Sequence, residues 1–420
     1  MMRRASKAAV ILTAMFLLAL CDDIDSAALL NQARAKIVAN IEKLPKYTCL
    51  QTVHRSRFQM VPPVRMSGCG YVEDASANIQ PQLMLAWTDR LKLDVTTSEG
   101  QEIFSWAGAR QFQSDDVQGI VGGGMTGTGD FGPFLISIFG GAVPLYDYLG
   151  LVMQPKGHAL ALYRYRVPES ASHYQLKAGP LPQDLVTMAY EGKFWIDPQN
   201  AELTRMTIEV PNPPRGSETC RVETTIDYQR ARIGGADFLL PQLTVLKLWN
   251  VEAERHENRI EYASCRAFES ESVFRTDLEP ADGAASGAPK EPVVIPPGVT
   301  IKIALRSKID SESSFAGDAI DGQLLNPIGK VVPKGAIVHG RIVRFEHEYQ
   351  PSNYYALGLK FQSIEVNGTE VPLTLAFRNR GSTILGGSIE KRPGIGTFIF
   401  QTDKLVLDQT FVSEWKTAAR

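Results

Sequence analysis

The strongest constraint on how this chain folds lies in the segment 47–276, where short runs of β-branched and aromatic residues follow one another closely. LMLAW, RLKLDVT, EIFSWAG, ALYRYRV, KFWIDP, LTRMTIEV, RVETTIDYQ and LTVLKLWNVEAE suit a pleated, half-buried surface, and several alternate polar with apolar residues. DPQN, PNPPRG, RIGGAD and RHEN punctuate them as turns. Connections this short join antiparallel neighbours, because a parallel pair needs a long crossover. The segment reads as an antiparallel meander, and the fold class as mainly β.

Ahead of the meander, ALLNQARAKIVANIEKLP places Leu30, Ala33, Ile37, Ile41 and Leu44 on one stripe and stops at Pro45. That is one amphipathic helix with a sheet to cover. Behind it, DLEPADGAASGAPKEPVV is rich in Ala, Gly and Pro and lacks aromatics, the composition of a disordered linker. Strands then resume between Pro-Gly and Asn-Gly turns, and Val366-Asn367-Gly368-Thr369 is a hairpin signal. The expected organisation is a signal peptide at 1–28, a helix plus antiparallel curved sheet at 29–276, the linker at 277–294, and a separate small β-barrel at 295–420.

The signal peptide rests on Arg3, Arg4 and Lys7 followed by an apolar run at 8–20 that is short for a membrane span. No later stretch is long and apolar enough to form a transmembrane helix, so none is expected after cleavage. Ser26-Ala27-Ala28 offers a cleavage site; Leu18-Ala19-Leu20-Cys21 is similar to a lipobox, which would anchor the chain through Cys21, but carries Leu20 where such motifs hold a small residue. The expected location is periplasmic or secreted, with outer-membrane association as an extension. Cys49, Cys69, Cys220 and Cys265 are an even set without a C-x-x-C pair, which favours disulfides in an exported chain. Three pairings are open, and proximity in sequence favours Cys49–Cys69 with Cys220–Cys265. A formal net charge of −2 gives no long-range attraction for nucleic acid, which is not expected as a partner.

Gly122, Gly124 and Gly127 fall on the G-x-G-x-x-G spacing of a dinucleotide loop. Such a loop needs a buried strand before it, and RQFQSDDVQGIV is too polar for one. Asp130 instead suits the cap of a short helix that begins near Pro133 and ends at Gly140-Gly141. A carboxylate there would repel a phosphate. The run reads as a loop leading into an apolar helix, a candidate flap over a cavity. His339 and His347 match no ligand spacing, so no metal or other cofactor is expected. Ser413-x-x-Lys416 lacks the companion motifs of penicillin-interacting enzymes, and Asp115 and Asp116 are neighbours that a strand would point apart. No active site assembles, and the chain is expected not to be an enzyme.

EGKFWIDPQNAELTRMTIEV resembles the strand–turn–strand of outer-membrane lipoprotein carriers of the LolA type, with Trp195, Ile196, Asp197 and Pro198 at the turn and Arg205 opening the next strand. The resemblance implies a lipid-facing half-barrel. YTCLQTVHRSRF, TGDFGPFL and IDYQRARIGGADFLLPQ look like uncharacterised exported proteins of acidobacteria, and IPPG, AGD and VPKGAIVHGRI look like the periplasmic β-barrel of type IV secretion scaffolds (TrbI-like). The function expected is a non-catalytic envelope binding or scaffold protein, holding an acyl chain, lipid or lipoprotein acyl group in the concavity. Phe131, Phe134, Ile138 and Trp195 are the candidate ligand-binding residues. The alternatives are a docking module with an envelope protein partner and no small ligand, and an envelope hydrolase.

Overall fold

The computed structural model describes residues 24–61, 69–70, 82–98, 101–109, 111–114, 117–127, 129–141, 144–155, 157–177, 184–211, 213–214, 216–267, 293–377 and 392–419. Nearly all of the expected signal peptide and linker, Cys21, Asp115 and Asp116 therefore lie outside the described residues.

The first half contains β1 (Tyr47–Val61), β2 (Gln82–Ser98), β3 (Gln101–Trp106), β4 (Leu145–Met153), β5 (Ala159–Val167), β6 (Gln175–Lys177) and β7 (Leu185–Thr187). β8 (Tyr190–Asp197), β9 (Glu202–Val210), β10 (Thr219–Ile233), β11 (Ala236–Asn250) and β12 (Glu254–Ala267) complete it. β6 and β7 make a hairpin of their own. The other ten pair antiparallel in the order β4–β5–β8–β9–β10–β11–β12–β1–β2–β3. The expected antiparallel sheet is present. Its order has one non-local step: β1 leaves the start of the chain and inserts between β12 and β2.

RHEN, expected as a turn, lies inside β12. Asn258, Ile260 and Tyr262 point into the fold, with the exposed Arg259 and Glu261 between them, so a two-residue period is kept with few apolar residues to mark it. At the other edge, among the described residues, β4 pairs with β5 alone. It leaves Leu145, Leu149, Leu151 and Met153 exposed.

The N-terminal helix, α1 (Ser26–Lys43), opens on Asp25, whose carboxylate accepts from the Ala28 amide at 2.9 Å. Leu29, Ala33 and Ile37 form its buried stripe, while Leu30, Ile41 and Leu44 are half-buried, so the stripe starts one residue earlier than expected. It packs on Phe194, Met206, Ile226 and Leu239 of the sheet. Asn40 joins the ladder edge, donating to the Leu239 carbonyl at 3.0 Å and accepting from its amide at 2.8 Å.

The second half contains β13 (Thr300–Leu305), β14 (Ile309–Asp310), β15 (Ala319–Leu324), β16 (Ile337–Glu348) and β17 (Tyr354–Val366). β18 (Thr369–Pro372), β19 (Leu375–Phe377), β20 (Gly396–Phe400), β21 (Val406–Leu407) and β22 (Val412–Thr417) follow. The hairpin signal is realised between β17 and β18, with Asn367 at φ 51° and Gly368 at φ 74°. The expected small barrel is corrected on two counts. The ladder runs β19–β22–β13–β15–β16–β17–β20, and among the described residues no pairing joins β20 back to β19, so the strands curl without closing. Phe377 and Phe398 instead meet ring to ring at 4.9 Å.

Nor is the module separate. β16 pairs with β2 at Glu346↔Asp89, His347↔Thr88 and Glu348↔Trp87, which makes one continuous antiparallel sheet. Arg57 bridges to Glu348 at 2.7 Å and Lys92 to Asp318 at 2.8 Å, while Arg341 donates to the Ala107 carbonyl at 2.7 Å.

The disulfides are Cys49–Cys265 and Cys69–Cys220, not the pairs that sequence proximity favoured. Insertion of β1 beside β12 explains the first, because Cys49 sits at the irregularity where Thr48 faces Arg266 and Leu50 faces Ala263. It closes a loop of 216 residues. Such a crosslink stabilises by roughly 4–5 kcal/mol through the unfolded chain. Non-reducing peptide mapping is expected to recover these two pairs, and Cys49→Ser with Cys265→Ser to lower the urea-unfolding free energy by several kcal/mol. Recovery of a Cys49–Cys69 peptide would refute the register of β1.

Candidate ligand-binding cavity

Inward residues of β10, β11 and β12 pave the concave face with Val222, Thr224, Thr244, Leu246, Leu248 and Ile260. Over them lie the glycine run, the helical segment made by Pro133–Leu135 and Ile136–Gly140, and the β6–β7 hairpin. Between sheet and cover is a cavity of about 760 Å³. Its apolar wall is completed by Met125, Phe134, Leu176 and Leu185, and its polar end by Glu102 and Asp130.

The cover is held from both sides. Arg34 of α1 donates through Nε to the Phe139 carbonyl at 3.2 Å and through Nη2 to that of Gly141, placing a cation at the end of the helical segment. On the sheet side, Arg55 on β1 forms a two-point ion pair with Asp89 on β2, and both side chains are nearly inaccessible. Arg55 also donates to the Gly123 carbonyl at 2.7 Å. Gly124 has φ 79°, and a Cβ there would stand 2.6 Å from the Arg55 Nη1. A Cβ at Gly122 would meet Arg392 and one at Gly127 would meet Leu246, so close packing accounts for all three glycines without a phosphate. The residues before it form a short helix, Val117–Val121, in place of the strand a dinucleotide loop requires.

Asp130 is not a helix cap. Gly132 holds that position, without a side-chain hydrogen bond. Asp130 turns inward, where its Oδ2 accepts from the Tyr262 hydroxyl. Glu102 on β3 is its buried neighbour, and it accepts from the Gly129 amide at 2.8 Å and the Phe131 amide at 3.1 Å. Burial raises both carboxyls; the charge of Asp130 adds to the effect on Glu102, which reaches about 7 against the backbone donors that pull it down. Burial likewise raises Tyr228 and Tyr262 far above the usual phenol range, assisted by Asp130 and Glu102. Thr244 lies near enough to lower Asp130, yet its buried hydroxyl meets no partner in hydrogen-bonding geometry.

Of the four residues nominated from sequence, Phe134 lines the cavity. Phe131 is core, 4.7 Å ring to ring from Tyr262, and Ile138 is core among the residues under α1. Trp195 lies between the buried Phe194 and Ile196 in β8, so the strand period turns it to the opposite face. Reasoning from sequence misses Glu102 and gives Asp130 a capping role in place of its inward one. The available signal was EIF in β3, where an acidic residue shares the inward face with Phe104.

No protein-family model matches the chain, and no curated protein matches it. Among solved structures it is similar to a LolA superfamily protein of Nitrosomonas europaea, with 9% identity and a TM-score of 0.23 over 58% of this chain and 93% of that one. The resemblance of the C-terminal segment to type IV secretion scaffolds gains no support from these comparisons.

Two outcomes follow. Replacing Asp89 by Ala strands a buried guanidinium and is expected to cost about 3–5 kcal/mol in urea unfolding. Glu102 binds its proton more tightly in the folded state, so its ionisation opposes folding above about pH 7, and that penalty fades as pH falls toward the ordinary value of 4.5. Its share of stability should therefore rise between about pH 8 and pH 5, by an amount on the order of 3 kcal/mol at most. In a urea-unfolding series over that range Glu102→Gln should flatten the rise; an unchanged slope would remove Glu102 as its source.

Proposed function

We propose that this chain is an exported, non-catalytic binding protein of the cell envelope whose cavity accommodates an amphiphile, with an acyl or similar apolar chain along the sheet. The observation that carries the reading is the 760 Å³ space between a concave sheet and its cover, walled by Leu246, Leu248, Ile260, Val222 and Phe134. That volume suits a small-molecule site, and an apolar wall ranks ligands by size and hydrophobicity. Two disulfides support a location in an oxidising compartment. Among the described residues no helix is long and apolar enough to cross a membrane, a statement that leaves membrane β-barrels aside.

A binding role suits the carboxyls better than catalysis. Both Glu102 oxygens accept backbone amides of the cover, and Asp130 is engaged by Tyr262, so both serve the architecture. The protein isolated from an oxidising expression host should carry a bound apolar molecule in native mass spectrometry. After delipidation it should saturate with the neutral fluorophore N-phenyl-1-naphthylamine. Leu246→Trp, which places an indole in the cavity, should weaken that binding by at least about tenfold. A bare mass together with no saturable fluorescence would defeat the reading.

A further inference from the structure

β4 is an edge strand that carries apolar side chains on both faces. Leu145, Tyr148, Leu149, Leu151, Val152 and Met153 are 37–70% exposed, six of the fourteen large hydrophobic side chains that stand exposed among the described residues. The register with β5 assigns them to faces. Tyr146, Tyr148, Leu151 and Met153 lie opposite Tyr165, Tyr163, Ala161 and Ala159, the first three of which belong to the core under α1. Leu145, Asp147 and Val152 lie on the other face, and the shift between Tyr148 and Gly150 leaves Leu149 as a bulge without an opposite residue. Natural edges are commonly blunted by lysine or proline, and LYDYLGLVM contains neither. Its single charge, Asp147, is already paired with Arg164 at 2.8 Å.

We propose that β4 is a dimer interface, on which β4 of a second copy of this chain pairs antiparallel and joins the two sheets into one. The free edge of β4 presents backbone N–H and C=O groups, which a strand satisfies and hydrocarbon does not, so a bilayer fits it poorly. A two-fold axis through the bulge keeps both faces in register, as a closed isologous contact requires. Tyr148 then faces Leu151 of the second copy and Tyr146 faces its Met153, cross-strand apolar pairs of the kind that stabilise sheets. On the opposite face Asp147 meets Val152, so no like charges are brought together. Covering the six exposed side chains removes roughly 500 Å² per copy from water, about 1,000 Å² over two, the size at which a specific interface begins. The contact lies apart from the ligand cavity, which none of these side chains lines.

Sedimentation velocity of the intact, disulfide-bonded protein decides the matter over roughly 1–100 μM, the range of a modest interface. The wild type is expected to run as a dimer at the upper end. Leu151→Lys combined with Met153→Lys should weaken association by at least about tenfold while unfolding in urea as cooperatively as the wild type. Asp147→Cys combined with Val152→Cys brings thiols face to face across the two-fold. That double variant should form a covalent dimer on mild oxidation, and neither single variant should. A wild type that stays monomeric at the highest concentration would overturn the proposal, and a monomer that binds phosphatidylglycerol vesicles would overturn it in favour of a lipid surface. A dimer unmoved by the two lysines would place the contact elsewhere and overturn it too. Should the lysine variant fail to fold, the cysteine pair still decides: a dimer that the paired thiols fail to link would refute the pairing of β4 with itself.

Discussion

Two backbone amides, those of Gly129 and Phe131, meet the same buried carboxylate, and the cover of the concave sheet takes its place from that contact. The segment changes direction between the glycine run and the helical turn, and its donors there face the interior. Without Glu102 they would be buried and unpaired, at a cost of roughly 1–3 kcal/mol each. With it, the cover is held at a fixed height and the space beneath becomes a cavity. Asp130, carried between the two tethered residues, is thereby delivered to the cavity's polar end, where Tyr262 fixes its orientation.

The same logic recurs on the neighbouring strands. Arg55 and Asp89 are taken out of water together, and their pairing leaves one guanidinium nitrogen to hold the Gly123 carbonyl. Asn258 donates to the Met125 carbonyl at 2.8 Å, so β1 and β3 each reach the cover through one of the polar side chains named above, Arg55 and Glu102, and β12 through two, Asn258 and Tyr262. β2, which supplies Asp89, is also the strand on which β16 pairs. The C-terminal strands thus brace the sheet beside the anchor of the glycine run.

Much of this was legible in the sequence, and the failures share a cause. Strands with apolar inward faces, such as β8 and β9, announce themselves by alternation. β12 does not, because its inward Asn258 serves a backbone carbonyl and charged residues flank it; its first residues therefore look like a turn. Proximity in sequence gives the wrong disulfides because adjacency in this sheet does not follow the chain: β1 lies between β12 and β2, which brings Cys49 to Cys265. The antiparallel sheet and the cavity beneath the helical segment could be foreseen. Which side chains face that cavity could not, since Phe131, whose amide Glu102 holds, turns into the core while Phe134, three residues on, lines the cavity. Asp130 carries a capping signal, but the buried Tyr262 hydroxyl holds it instead, and Gly132 takes the cap position.

The central claim, that an amphiphile enters between the concave sheet and its tethered cover, is tested most directly by methyl-resolved NMR of the delipidated protein titrated with a neutral twelve-carbon alcohol. Saturable shifts confined to Val222, Leu246, Leu248 and Ile260 are the expected result. Shifts confined to the exposed leucines of β4, with the cavity methyls unmoved, would contradict it.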